Sequence, residues 1–112
     1  MYDRFSVSNE TEKYQLFLAG PATGTVGDSM LDTGYPIYYD LSGMYFSTPD
    51  RDNDRKKYGN CAADYKGGWW FKACHIAFLN GPWYPAYWWA PWLSTLRRGT
   101  TVRGTLMLIK RH

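Results

Sequence analysis

The densest chemistry in this chain lies between residues 50 and 75. Asp50-Arg51-Asp52-Asn53-Asp54 sets three carboxylates at alternate positions, Cys61 follows, and then come Gly67-Gly68-Trp69-Trp70-Phe71 and Cys74-His75. Alternate carboxylates in an extended loop point to one side, and with backbone carbonyls they suit a hard cation such as calcium. Two cysteines this close suit a disulfide, and a run of large rings suits recognition. Together they describe a cation loop bracing a binding surface rather than a catalytic pocket. His75 has only the terminal His112 as a companion. With Cys74 held in a disulfide no Cys-His nucleophile remains, and no Ser-His-Asp set can be assembled. Residues 20–27 are rich in glycine but lack the lysine of a phosphate loop.

Each feature also has a plainer reading. Asp50, Asp52 and Asp54 match positions 1, 3 and 5 of an EF-hand loop, but Arg55 stands where that loop needs glycine and Cys61 where it needs glutamate. A solvated acidic turn balanced by Arg51, Arg55, Lys56 and Lys57 fits the residues as well as a calcium loop does. Trp69 and Trp70 are adjacent, so in extended chain they face opposite ways and one can be buried. The later cluster Trp83, Tyr84, Tyr87, Trp88, Trp89 and Trp92 is broken by Pro82, Pro85 and Pro91, which excludes a regular helix. It either packs a core or lines a shallow pocket.

The elements that must position these residues are sparse. Residues 2–7 alternate apolar and polar, with Phe5 and Val7 on one face, and residues 14–18 alternate again through Tyr14, Leu16 and Leu18. With the polar turn 9–13 between them they predict a hairpin. Asp28 is placed to cap one helical turn over residues 28–31. A short strand is expected near residues 44–47 and a final one over residues 105–110. Residues 48–104 show no sustained period, and a loop region that long needs bracing, which a cation loop and a disulfide supply.

Composition bounds the rest. A chain of 112 residues is one domain at most, and its aromatic content of 19% exceeds what a core of this size needs. The net charge is +3, and the late basic residues Arg97, Arg98, Arg103, Lys110 and Arg111 are spread out. They form a solvated face, not a nucleic-acid stripe. No apolar run reaches the ~18 residues that a membrane span requires. A disulfide implies an oxidising compartment and hence secretion, and closing so short a loop contributes on the order of 3 kcal/mol. Asn9-Glu10-Thr11 is an N-glycosylation sequon, usable only in a secreted protein. Residues 1–20 show no signal-peptide pattern. The expectation is a mature start or the C-terminal part of something longer.

Several of these segments resemble the C-terminal half of fibrinogen-related domains, as found in fibrinogen chains, ficolins, tachylectins and ixoderins. The resemblance rests on Phe46-Ser47-Thr48-Pro49-Asp50-Arg51-Asp52-Asn53-Asp54, Asn60-Cys61-Ala62, Gly67-Gly68-Trp69-Trp70-Phe71, Cys74-His75 and Leu79-Asn80-Gly81. Tyr2-Asp3-Arg4-Phe5-Ser6-Val7, Glu12-Lys13-Tyr14-Gln15-Leu16 and Gly27-Asp28-Ser29 add to it upstream. It implies an α+β fold with short antiparallel strands, incomplete here because full members are considerably longer. Residues 1–47 would belong to the central sheet, 48–104 to the calcium- and ligand-binding loops and 105–112 to the last strand. By the same resemblance calcium is held by the side chains of Asp52 and Asp54 and by two carbonyls, assigned to Lys57 and Gly59. The loop is one residue longer than the family's usual spacing. Cys61 pairs with Cys74.

In lectin members of the family an acetyl group is held by backbone amides around the Cys-His pair, here Cys74 and His75. Tyr65 corresponds to a pocket tyrosine, and the peptide before the second cysteine, here Ala73–Cys74, is cis. Ala73 replaces a polar residue usual there. Tyr87 and Trp92 are the candidates for the remaining wall. The implied function is a secreted, calcium-dependent, non-enzymatic module that binds acetylated sugars such as N-acetylglucosamine. It would not bind nucleic acid or insert into a membrane, and its parent protein would be oligomeric. The competing readings are a protein-interaction module for a receptor or peptide end, and an inactive fragment.

Overall fold

A computed structural model describes residues 1–20, 22–25, 28–31, 40–75, 77–81 and 105–111. Strand β1, Arg4–Val7, pairs antiparallel with β2, Leu16–Ala19, and the register sets Phe5 opposite Leu18 and Val7 opposite Leu16. This is the hairpin that the alternation predicts, with a 3-10 turn at Glu10–Glu12 between its strands. Asn9 caps that turn by accepting the Glu12 N–H on its side chain. The chain leaves the turn through Lys13 and Tyr14, both with positive φ (55° and 52°), so Tyr14 precedes the strand rather than belonging to it. Leu16 and Leu18 point into the core while Val7 stays exposed, so β2 rather than β1 carries the buried stripe.

The one α-helix among the described residues is α1, Cys61–Tyr65. Asn60 caps its start by accepting from Ala63, and Lys66, at a left-handed φ of 60°, ends it. Three other expectations are corrected. Residues 28–31 form no helical turn, although the Asp28 carboxylate does accept from the N–H groups of Met30 and Leu31. Of residues 44–47 only Ser47 pairs, in a single bridge with Trp69. Residues 105–111 form no strand: they are irregular and exposed, tied by the Thr105 hydroxyl to the Leu79 carbonyl at 3.2 Å. Among the described residues no neighbouring strand takes their backbone hydrogen bonds.

The core gathers Leu16, Leu18, Met30, Leu41 and Met44 around Trp69, Trp70, Phe71 and Phe78. Trp69 and Trp70 are both buried. The two rings meet edge to face with centres 5.2 Å apart, and Trp70 Nε1 donates to the Tyr14 carbonyl at 2.8 Å. Gly67 lets these layers close. A Cβ there would lie 2.9 Å from Phe78 Cζ and 3.0 Å from the Asn80 carbonyl oxygen. No helix among the described residues is long and apolar enough to cross a membrane.

Candidate functional site

The site is built on α1. Tyr65 lies four positions after Cys61, so both lie on one helix face. Cys61 is disulfide-bonded to Cys74, with Cα atoms 5.7 Å apart. That bond brings the following residue, His75, against the far end of the helix. Tyr65 and His75 meet edge to face at 4.7 Å between ring centres, with Phe71 and Phe78 packed behind His75 at 5.5 and 4.8 Å. Tyr65 is half exposed, and the Ala73–Cys74 peptide is cis.

Burial in this aromatic nest pushes the His75 pKa down to about 4, so the imidazole is neutral near pH 7. Its Nδ1 is buried without a hydrogen-bond partner among the described residues. The N–H groups of Cys74 and His75 likewise donate to no acceptor among the described residues. A partly open aromatic surface thus stands beside two main-chain donors that have no acceptor among the described residues, which suits a small uncharged group carrying a carbonyl oxygen.

The acidic loop lies directly upstream. Ser47, fully buried, accepts the Asn53 N–H at 2.9 Å, and the Asn53 side chain donates to the Phe46 carbonyl. The loop is also pinned by Arg55 N–H to the Lys72 carbonyl and by the Asn60 side chain to the Pro49 carbonyl. Asp50 turns back to accept from the Thr48 hydroxyl at 2.7 Å, and this bond lowers its pKa. It does not join Asp52 and Asp54, and no group of three His, Cys, Asp or Glu forms among the described residues.

Asp54 accepts from the N–H groups of Lys56 and Cys61, and Asp52 accepts from the N–H of Asp54. Burial raises the Asp54 carboxyl above its ordinary range, its two amide donors oppose the rise, and the nearby Asp52 carboxyl adds to it. The carbonyls of Lys57 and Gly59 accept no hydrogen bond among the described residues. Two neighbouring carboxylates and the backbone carbonyls of the same loop are the donor types that a hard divalent cation takes.

Sequence reasoning missed the supports: Asn53, Ser47 and Asn60. An Asn immediately before a short apolar stretch was the available signal for Asn60. Tyr87 and Trp92 lie outside the described residues, as do the other rings of residues 82–92 and the basic residues Arg97, Arg98 and Arg103. A separate cleft of about 620 Å³ runs between the hairpin and the last described segment, lined by Tyr2, Phe5, Phe17, Leu18, Leu108 and Ile109. None of the site residues lines it.

Residues 1–96 match the family model of the fibrinogen beta and gamma chains, C-terminal globular domain. Fibroleukin of Bos taurus is 46% identical over 84 residues, covering 75% of this chain and 18% of that protein. Among solved structures, the fibrinogen-like globe domain of human ANGPTL2 aligns with a TM-score of 0.69 at 36% identity, covering 89% of this chain and 44% of that one. The lamprey fibrin D-dimer complexed with the peptide ligand Gly-His-Arg-Pro-amide aligns at 0.66 and 38% identity, covering 75% and 28%. The chain spans 18% to 27% of the length of the curated relatives it matches.

Proposed function

Since this chain belongs to the fibrinogen C-terminal domain family, we propose that it serves a secreted, calcium-dependent module that recognises acetylated carbohydrates on microbial or cell surfaces. The observation that carries this reading is the meeting of Tyr65 and His75 beside the unengaged N–H groups of Cys74 and His75. The acetyl oxygen accepts from those amides, and the methyl group rests on the rings. A neutral His75 keeps the surface free of charge, which suits an uncharged acetyl group.

Asp52 and Asp54 would hold a calcium ion, with the Lys57 and Gly59 carbonyls as further donors, and the ion would neutralise the two carboxylates. Asp54 holds the Cys61 amide, so order in the loop passes to α1 and to Tyr65. The chemistry is binding, not turnover. A single shallow surface gives weak monovalent affinity, and an oligomeric parent protein would raise it by multivalency. The disulfide supports an oxidising, extracellular location.

The test is retention of the oxidised chain on N-acetylglucosamine resin in calcium, followed by EDTA. Retention that EDTA and free acetylated sugar both release is the expected result. Flow-through in calcium would overturn the reading. A second reading, recognition of a peptide end or receptor, is favoured by the peptide ligand named for the lamprey relative. Under that reading the chain binds a peptide that free N-acetylglucosamine fails to displace.

A further inference from the structure

The turn between β1 and β2 holds the one sequence motif that the recognition site does not use, Asn9-Glu10-Thr11. We propose that Asn9 is an N-glycosylation site and that the hairpin tip carries an oligosaccharide. Residues 9–14 are all exposed. The Asn9 side-chain oxygen is turned onto the backbone, where it accepts the Glu12 N–H at 3.2 Å. Its Nδ2, the atom that would bond to the sugar, has no partner among the described residues. The fold therefore uses one end of the carboxamide and leaves the other to solvent.

Capping alone does not account for the whole tripeptide. Ser, Thr or Asp at residue 9 would cap the turn as well as Asn does. Thr11 has no hydrogen bond among the described residues and lies exposed, so packing does not require it. Asn and Thr at this spacing are what an acceptor needs, and the tip of an exposed turn is where an acceptor can be reached. The Cys61–Cys74 disulfide places the chain in the oxidising compartment where such transfer occurs. The transfer joins the Asn9 amide nitrogen to the anomeric carbon of the sugar, with loss of a proton from nitrogen and of the lipid pyrophosphate from the activated glycan donor. A glycan there would sit beside exposed Val7 and Tyr14 and would screen that end of the two-stranded sheet.

The proposal goes beyond the acetyl-sugar reading and is independent of it, since no residue of the Tyr65–His75 surface takes part. The test is synthesis of the full chain behind a cleavable leader in microsomes, with peptide-N-glycosidase treatment of the protease-protected product. The wild-type chain and Thr11→Ser should shift in mass by one glycan, whereas Asn9→Gln and Thr11→Ala should not shift. Peptide mapping after deglycosylation should find the mass change at Asn9. A translocated, disulfide-bonded wild-type chain with Asn9 unmodified would overturn the proposal.

Discussion

The carboxylate of Asp54 accepts the amide N–H of Cys61 at 2.9 Å, so one acidic side chain joins the acidic loop to the half-cystine that opens α1. Asp52 has no such link to the helix; it is exposed and accepts from the N–H of Asp54. The two carboxylates should therefore respond differently to mutation. Asp54→Ala leaves the Cys61 and Lys56 amides without their acceptor and should cost about 1–2 kcal/mol even in EDTA. Asp52→Ala should leave the EDTA stability within about 0.5 kcal/mol. Both should abolish stabilisation by calcium. Thermal unfolding with and without calcium checks this, and a calcium response retained in Asp52→Ala would remove that residue from the donor set.

Tyr65 is half exposed and its ring edge rests on His75. Tyr65→Ala should reduce retention on acetylated-sugar resin sharply while changing stability by no more than about 1 kcal/mol. Tyr65→Phe keeps the ring contact and should keep most of the retention. Full binding by the alanine variant would exclude this surface as the ligand site.

His75 makes stability pH-dependent with a definite sign. Its folded pKa of about 4 lies below the ordinary value of 6.5. Between those values the unfolded chain binds a proton that the folded chain does not, so stability falls as pH drops through 6.5 and levels off below 4. The full difference is on the order of 3 kcal/mol. Denaturant titrations at pH 7 and pH 4.5, compared with His75→Phe, isolate this contribution from the carboxylates. An identical pH slope in the variant would show that His75 is not shielded as described.

Gly67 is a packing position rather than a hinge. Gly67→Ala drives a methyl group to 2.9 Å from Phe78 Cζ and 3.0 Å from the Asn80 carbonyl oxygen. Overpacking of this kind should cost about 1–3 kcal/mol, read as a lower denaturation midpoint. Wild-type stability in Gly67→Ala would mean that the Phe78 ring moves aside freely.

The parts legible in the sequence were those with strong local or chemical signatures. Alternation marked the hairpin, and Cys61 and Cys74 marked the clasp. The helix α1 was not legible, because five residues are too few to show a helical period. Adjacency allowed one of Trp69 and Trp70 to be buried; that both are buried depends on core on both sides of the chain, which a local pattern does not carry. The final strand failed for a different reason. Residues 105–110 have strand composition, but a strand forms only where another offers hydrogen bonds, and a local pattern carries no information about that neighbour. Asp50 likewise shares the spacing of Asp52 and Asp54, yet Thr48 claims it first.

Trp70 Nε1 and the Tyr14 carbonyl are bonded across 56 residues of chain. The regular elements near them are small and local: a hairpin of two four-residue strands and a five-residue helix. A hairpin of this kind closes within about 1–10 μs, but alone it is marginally stable in water. Bonds that span so much chain carry a loop-closure cost before they return any stability, so the long-range closure, not the making of strands or helix, sets the pace of folding. Substitutions that weaken the Trp70–Tyr14 seam should then slow refolding more than equal damage within the hairpin, and until the seam closes Leu16 and Leu18 remain open to wrong partners.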